Sequence, residues 1–506
     1  MAFQDLYGLL WSRGRGVLLI AATLAGCHAS TEPDRNHLAG IDALVAGRTS
    51  SGIDAMRLLA SDPRLEMSPP TGTLTLQTAV NRALAHNLSL IANAENLAIA
   101  QGQLAQAGLW QNPTIGQSGA FYAPLSGQGG AIAFDILVTQ TLNTFFTRPY
   151  RVALAEAQRF QAGIDLASQA FDLAEQASGK YGEMAHLLRD GKIAEKVAAS
   201  YKRAWNAAEA RMKVGMIPRP DVNRARLQYE DALRQLRHIH AQYGRAAREM
   251  NWLMGISSSP QWQLPAEAGE PPPEVIGIPD VRELEAIGHH HRLDFLRADF
   301  DFKIAQTNVK LAKLGMIPQI TLGFDHARDS AKKWTGGPSF NLDLPIFDTG
   351  KVAVAIANAQ LRLADKTCVS LGGQVSQDVR TAHDNLLTAE EDVIFYRDRQ
   401  IPQEEENVRL SELSFRLGNT DLDDFLNTLR EYVSTLQAYE DQLDTYQQNV
   451  QALERAMGMV IGRANELAAK DGFPATRPTL PSTQPTSEPA TQRTEPSSTQ
   501  PARLQP

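Results

Sequence analysis

The 506-residue chain has few of the residues on which compact enzymes and disulfide-bonded domains depend. Aromatic residues make up only 7% of it, and its two cysteines cannot form a disulfide framework or a zinc-binding set. It contains no HExxH, Walker or GxGxxG motif, so neither an enzyme nor a resident cofactor is predicted. Its net charge of −8 comes without a basic stripe, which argues against nucleic acid as a partner.

Two local features could be mistaken for chemical sites. Cys368 lies alone in a helical pattern and is expected to be a small, unreactive thiol. The run His289–His291 is interpreted as a solvated loop at a helix start, so no metal site is predicted.

Apolar runs of about eighteen residues, the length of a membrane-spanning helix, are also lacking. The N terminus has a shorter run, in which Arg13 and Arg15 precede an apolar segment that ends in "LAGC" at Cys27. This pattern predicts an export signal over residues 1–26, and it resembles the lipobox of bacterial lipoproteins, in which the cysteine is acylated after cleavage. Lipid on Cys27 is therefore expected, with an ordinary signal peptide as the alternative. His28, in place of Asp, favours transfer to the outer membrane.

The sequence does contain the same order of features twice. Gly215 and Gly418 are 418 − 215 = 203 residues apart, and Asp221 and Asp424 repeat with the same offset. A period near 200 residues is too long for a solenoid unit, so two fused copies are predicted over 71–270 and 271–470. Further matches, at offsets of 203 or 205, are Leu88 with Leu293, Gln101 with Gln306, Pro113 with Pro318 and Met254 with Met457.

Each copy is predicted to contain a helix, two strands, a long helix and a return helix. Apolar residues at three and four spacing predict first helices over Leu74–Trp110 and Val281–Met316. Pro402 predicts a bend in the second long helix. The other bounds are expected at about 113–143 and 318–346 for strands, 149–213 and 351–416 for long helices, and 220–255 and 421–467 for return helices.

The two ends of the chain are expected to lie outside this duplication. Residues 27–70 are interpreted as a tether with some helix near Ile41–Leu59. Residues 471–506 are rich in Pro, Ser, Thr and Gln, a composition that predicts a disordered tail.

The strand segments alternate apolar and polar residues, so each has one apolar face. Such hairpins could lie half buried on a soluble core or face lipid, and the alternation alone leaves both open. The apolar positions are Ile132, Phe134, Ile136, Val138 and Leu142 in the first copy and Ile320, Leu322, Phe324, Phe340, Leu342, Leu344 and Ile346 in the second.

The duplication, the paired "VG…D" and "LG…D" turns and the stretch "AQAGLWQNPTIG" together resemble TolC-type outer-membrane efflux ducts over roughly Leu74–Leu467. "QNP" and "RPYRVALAEAQ" are most similar to ducts of the cobalt–zinc–cadmium class. The resemblance implies a mainly α fold with a small β part. Duplicated long helical hairpins would form a trimeric α-helical tunnel, topped by a shared 12-stranded transmembrane β-barrel with four strands per protomer.

The resemblance also implies partners and sites. A homotrimer in outer-membrane lipid would meet a periplasmic adaptor (membrane-fusion) protein and an inner-membrane pump of the resistance-nodulation-division type. The two turns would be periplasmic tips, and rings of carboxylates beside them would attract cations. The adaptor-contact residues would be Val214, Gly215, Leu417 and Gly418, and the periplasmic gate residues Asp221, Asp424, Arg219 and Asp421.

This chain departs from the family pattern at the gate. Phe415 and Thr420 stand where the best-known member has a tyrosine and an arginine that lock the gate, and Asn427 replaces its second inner aspartate. Arg219 is a candidate substitute for the missing bonds. An Asp in the first turn of a helix is also favoured by the helix dipole, which is an alternative explanation for Asp221 and Asp424.

The expected function is passive exit of solutes, heavy-metal cations or small organic molecules, through the outer membrane. The alternatives are a lipid-anchored periplasmic scaffold without a pore and an exit duct for protein secretion.

Overall fold

The structure is a computed structural model that describes residues 34–49, 51–60, 71–122, 131–269, 278–328 and 334–470. The predicted signal peptide, Cys27 and the predicted tail lie outside these ranges. Within the described residues, no helix is both long enough and apolar enough to cross a lipid bilayer.

Helices dominate, and the elements repeat in the same order. Two short helices, α1 (Arg35–Ala46) and α2 (Ala55–Ala60), and strand β1 (Gly72–Thr73) come first. The first copy then has α3 (Leu76–His86), α4 (Leu88–Ala107), β2 (Thr114–Tyr122), β3 (Ala131–Thr141), α5 (Asn143–Lys213) and α6 (Arg219–Leu253). After β4 (Trp262–Gln263), the second copy has α7 (Val281–His291), α8 (Leu293–Leu314), β5 (Ile320–Arg328), β6 (Trp334–Leu342), α9 (Lys351–Phe395), α10 (Ile401–Leu417), α11 (Leu422–Met457) and α12 (Ile461–Lys470).

The first helix of each copy is broken in two, where the sequence predicts one continuous helix. The break falls at Asn87 between α3 and α4 and at Arg292 between α7 and α8, and both residues are extended. Asn87 caps α4, because its side-chain oxygen accepts hydrogen bonds from the N–H groups of Ser89 at 3.0 Å and Leu90 at 3.1 Å.

A glycine from the far end of the same copy fills each break. Gly255 and Gly458 follow the return helices, and both have positive φ, +71° and +73°. A Cβ atom on Gly255 would overlap the carbonyl oxygen of His86, and one on Gly458 would lie 2.9 Å from Cα of Arg292. The two copies are therefore closed by the same backbone contact.

The long helices carry the chain from the sheet to the turns. Helix α5 has 71 residues, which corresponds to roughly 107 Å. Pro149 is the seventh residue of α5, in its second turn, so the helix lacks the hydrogen bond that an N–H at this position would donate. In the second copy a π-turn at Tyr396–Gln400 separates α9 from α10, just before Pro402. The sequence predicts a bend at Pro402, and the structure has a π-turn just before this residue. The π-turn accommodates the proline ring and the carbonyl four residues earlier, which the proline cannot pair.

Four strands form one antiparallel sheet in the order β2-β3-β5-β6, so a hairpin from each copy contributes two strands. The register aligns Ile115, Val138 and Phe324 across neighbouring strands and Leu322 with Phe340, which places apolar residues on one face. Strand β6 ends at Leu342, so Leu344 and Ile346 lie beyond it, contrary to prediction. The other face carries small and polar residues, Thr114, Thr139, Thr321, Ser339 and Asn341.

Helix α5 packs against α8 and α11 of the second copy, and its antiparallel contact with α11 is called the seam here. Buried Arg189 donates a hydrogen bond from Nε to Glu440 Oε2 at 2.9 Å, and Arg455 donates to Glu175 at 2.9 and 3.0 Å. Between these ion pairs, two glycines of α5 leave room for glutamine side chains of α11. Gly182 lies opposite Gln447, and Gly179 lies opposite Gln451.

Residues 34–60 form a packed part of the protein and are more than a tether. Leu38 and Ile41 of α1 are buried in the cluster that contains α5 residues. The Arg48 side chain donates to the carbonyl of His291 at 2.7 Å, and its own carbonyl accepts from the N–H of Val460 at 2.9 Å. This N-terminal segment therefore ties the second copy to the first.

We expect Gly255→Ala and Gly458→Ala to lower the apparent melting temperature of the full-length protein by several degrees. Each adds a Cβ atom to a left-handed residue, which costs about 1–2 kcal/mol before the clash with the facing backbone. Gly244→Ala, inside α6 and without a close neighbour at the new Cβ, is the control and should not lower it. Equal melting temperatures for all three variants would contradict the assignment of the two contacts.

Candidate functional site: the two hairpin tips

The turns at the ends of the two hairpins have the same geometry. Gly215 and Gly418 both have positive φ, +78° and +86°, as the sequence predicts. In the first turn the N–H of Met216 donates to the carbonyl of Arg211 at 2.9 Å. In the second turn, Asn419 donates in the same way to Ser414 at 3.0 Å. Each of these hydrogen bonds spans five residues at the C-terminal end of a helix. The left-handed glycine within each span lets the chain reverse there.

The return helices begin with carboxylates. Asp421 caps α11, since its Oδ1 accepts a hydrogen bond from the N–H of Asp424 at 2.8 Å. Asp221 lies in the first turn of α6, and Asp424 lies exposed in the first turn of α11. All three carboxylates are favourably placed at helix N-termini, so the dipole explains part of their position. Asn427, one turn further along α11, accepts a hydrogen bond from Arg430 at 2.8 Å.

An arginine near the first tip binds residues of the second tip. Arg211 places its guanidinium 4.6 Å from the ring centroid of Phe415. Its Nη1 donates to the carbonyl oxygens of Phe415 at 3.3 Å and Thr420 at 3.4 Å. Phe415 is fully buried and stacks on Phe425, with ring centroids 5.5 Å apart. A cation–π contact and two charge-assisted hydrogen bonds therefore join the hairpins.

A second link joins the return helices. Arg224 of α6 forms an ion pair and hydrogen bond with Asp423 of α11. Both side chains are about half exposed, so this pair adds less stability than the buried contact of Arg211. Arg219, the candidate substitute in the sequence, is exposed, and no hydrogen bond or ion pair of its side chain is seen among the described residues. Its predicted role at a gate stays a prediction.

The sequence reasoning did not identify Arg211 or Arg224 as linking residues. Both lie in stretches with several other arginines, and their partners are about 200 residues away in the chain. No local sequence pattern marks either residue as the partner of a tip on the other hairpin.

The outermost surface of the tips is apolar. Val214, Met216 and Leu417 are 67%, 65% and 68% exposed. A Cβ atom on Gly215 or Gly418 would have no atom within 4 Å. Both tips therefore expose apolar side chains at their ends.

Other candidate chemistry lies away from the tips. His186, Asp190 and Glu440 bring three potential ligand atoms within 4.8 Å of one another, but Arg189 already donates to Glu440 Oε2. The Arg189 guanidinium occupies Oε2, the same oxygen of Glu440 that lies 3.6 Å from Nδ1 of His186, and this disfavours a metal ion there. A hydrogen bond to Glu440 raises the pKa of His186, although burial opposes it.

The histidine run is not the solvated loop that the sequence predicted. His289–His291 form the last turn of α7. The ring of His289 lies within hydrogen-bond distance, 3.0 Å, of the Ser376 hydroxyl. Burial lowers the pKa of His291 to about 4. Cys368 is buried in α9, in line with its interpretation as a small structural thiol.

Comparison with known proteins agrees with this fold. Residues 289–459 match the family described as "Outer membrane efflux protein", and this segment contains the second tip. No curated protein sequence matches the chain significantly. The second copy therefore matches the outer-membrane efflux family, and the predicted resemblance is confirmed.

Solved outer-membrane channels share the fold over most of the chain. The outer-membrane channel OprN is 18% identical and covers 81% of this chain and 96% of its own, with a TM-score of 0.64. The open state of the MtrE channel of Neisseria gonorrhoeae is also 18% identical and covers 80% and 98%, with a TM-score of 0.63. VceC of Vibrio cholerae is 17% identical and covers 76% and 96%, with a TM-score of 0.61. These similarities confirm the predicted fold class, which is mainly α with a small β part.

We expect Arg211→Ala to speed amide hydrogen exchange in the second turn, residues 417–424. The substitution removes a charged donor from two carbonyls, and such bonds are worth about 1.5–3 kcal/mol, or roughly ten- to a hundredfold in exchange. Asp423→Asn should have a smaller effect because its partner is exposed. Arg219→Ala is the control, and exchange as fast in Arg219→Ala as in Arg211→Ala would remove the special role of Arg211.

Proposed function

We propose that the protein is the outer-membrane exit duct of a tripartite efflux system and acts as a passive channel, with no enzymatic activity. Three copies would pool their four-stranded sheets into a 12-stranded barrel in the outer membrane and their hairpins into a periplasmic tunnel. A periplasmic adaptor and an inner-membrane pump, of the resistance-nodulation-division type, would deliver the solute. The cargo would be heavy-metal cations or small organic molecules.

The observation that carries the proposal is the sheet. Among the described residues, no strand pairs with the outer edges of β2 and β6. Its apolar face is open as well, with Leu322, Phe324 and Phe340 about half exposed or more. Unpaired edges are not tolerated in lipid, and an apolar face is unfavourable in water. Pairing with the same sheet of further copies satisfies both requirements at once.

The tips support the other end of this assembly. Their exposed apolar residues, Val214 and Leu417, would contact the adaptor together with Gly215 and Gly418. Threefold symmetry would arrange Asp221 and Asp424 into rings at the narrow end of the tunnel, with Asp421 and Arg219 beside them. Rings of carboxylates attract cations and repel anions.

Two other functions are consistent with long helical hairpins. A lipid-anchored scaffold would not conduct ions, and the open apolar sheet argues against it. A duct for protein secretion would share the architecture and differ only in its pump and cargo.

Ion conductance of the purified protein in a planar lipid bilayer tests the channel. A variant with Arg211→Ala and Asp423→Asn removes the links between the tips and should conduct at least as well as the natural chain. Silence of both proteins under all conditions would favour the scaffold.

The same recordings test the carboxylate rings. In a potassium chloride gradient, Asp221→Asn combined with Asp424→Asn should move the reversal potential towards zero, because cation preference is lost. Asp392→Asn, exposed on α9 about 37 Å before the tip along the helix, is the control. A double variant with the natural reversal potential would remove these residues from the selectivity of the pore.

We also propose that Cys27 carries the N-terminal lipid. In cells grown with labelled palmitate, the full-length chain should be labelled and Cys27→Ala should not. Equal labelling of both chains would show that the signal peptide is of the ordinary kind or that lipid is attached elsewhere.

A further inference from the structure

A cavity of about 500 Å³ lies along the seam, far from the tips. Helices α5 and α11 form its floor, α3 forms one side, and the short 3₁₀ turn at Ala266–Gly269 forms another. Val460, next to the break that Gly458 closes, lies at one end. The cavity is thus built from both copies and from the segments that join them.

Most of its wall is apolar. The residues of α5 that line it recur every three or four positions, so they share one face of the helix. Ligand sites in proteins typically combine such a wall with a few polar groups that fix orientation. The apolar lining includes Val80, Phe171, Ala174, Tyr181, Ala185 and Val450.

Two polar atoms in this wall are buried without a hydrogen-bond partner, Glu175 Oε1 and Arg189 Nη2. The Glu175 side chain is 8% exposed and the Arg189 side chain 4% exposed. Each residue uses its other atoms in an ion pair of the seam. A buried polar atom without a hydrogen bond is unfavourable, so a group that pairs with it would be bound favourably.

The charges at the two ends of the cavity are opposite. Glu175 and Glu454 lie at the end near Val460, and Arg455, exposed at the rim, is the cation paired with Glu175. Burial raises the pKa of Glu454 to about 7, the hydrogen bond from the N–H of Ile461 opposes this shift, and the nearby charge of Glu175 adds to it. Arg189 lies 14 residues from Glu175 along α5, roughly 21 Å away. The unpaired acceptor Glu175 Oε1 is thus at the carboxylate end of the cavity.

We propose that this cavity binds a small, mainly apolar organic cation, whose ammonium group pairs with Glu175 and Glu454 and whose body lies against the apolar wall. The ammonium group donates to Glu175 Oε1, the buried acceptor that the protein leaves unpaired. The site lies in the wall of the molecule and is independent of whether the tips form a gate. The proposal therefore does not rest on the proposed channel function.

Isothermal titration calorimetry of the purified full-length protein tests it, with 4-phenylbutylamine as the cationic probe and 4-phenylbutan-1-ol as its neutral analogue. We expect the amine to bind at least about tenfold more tightly than the alcohol, since only the amine pairs with a buried carboxylate. Absence of amine binding, or equal affinity for both probes, would overturn the proposal.

Variants locate the site. Glu175→Gln should weaken amine binding about tenfold or more, and Ser178→Leu should abolish it by filling the cavity from the α5 wall. Glu431→Gln, exposed on α11 and outside the cavity, is the matched control and should bind as the natural chain does. Because Glu175→Gln alters an ion pair of the seam, the melting temperature of this variant is measured in parallel. Ser178→Leu leaves both ion pairs intact, so it tests the site even if Glu175→Gln fails to fold. Natural affinity in Ser178→Leu would place the amine elsewhere and refute the site.

Discussion

The structure depends on the contact between α5 and α11. Two antiparallel helices from different copies would slide past each other if only apolar residues lay between them. Here Arg189 meets Glu440 at one level and Glu175 meets Arg455 at another, and a shift by one turn would separate both pairs. A buried charge without its partner is far more costly than a paired one, so these contacts fix the register more than they add stability.

The register of the seam fixes the positions of the other parts. Helix α5 runs without interruption from the sheet to the first tip, so its placement against α11 also sets where the two tips meet. Arg211 can reach Phe415 and Thr420 only if the hairpins end at the same height. The glycines at the ends of the return helices pack against the breaks at Asn87 and Arg292, once in each copy. One lateral register therefore governs the sheet, the wall and the tips.

Much of this could be predicted from the sequence, because the relevant patterns are local. Alternation predicted the apolar faces of the strands, and repeated glycines predicted the left-handed turns. Asn87, a preferred capping residue, was a local signal of the first break, although the helical periodicity continues through it. The break at Arg292 could not be predicted, since no side chain caps α8 and the glycine that packs there lies about 170 residues later in the chain. The same holds for Arg211 and Arg224 at the candidate site and for the end of β6, where tertiary contacts decide. The histidine run was misinterpreted because its partners, Ser376 for His289 and Arg48 for the carbonyl of His291, lie far away in the chain.

The two hairpins differ in one mechanical respect. The first descends as a single continuous rod, whereas the second contains the π-turn at Tyr396–Gln400, where the regular hydrogen-bond ladder is interrupted. An interrupted ladder bends at lower energy than a regular one. The long helix of the first copy is thus stiffer than that of the second. A bending force applied at the tips would bend the second copy mainly at its π-turn.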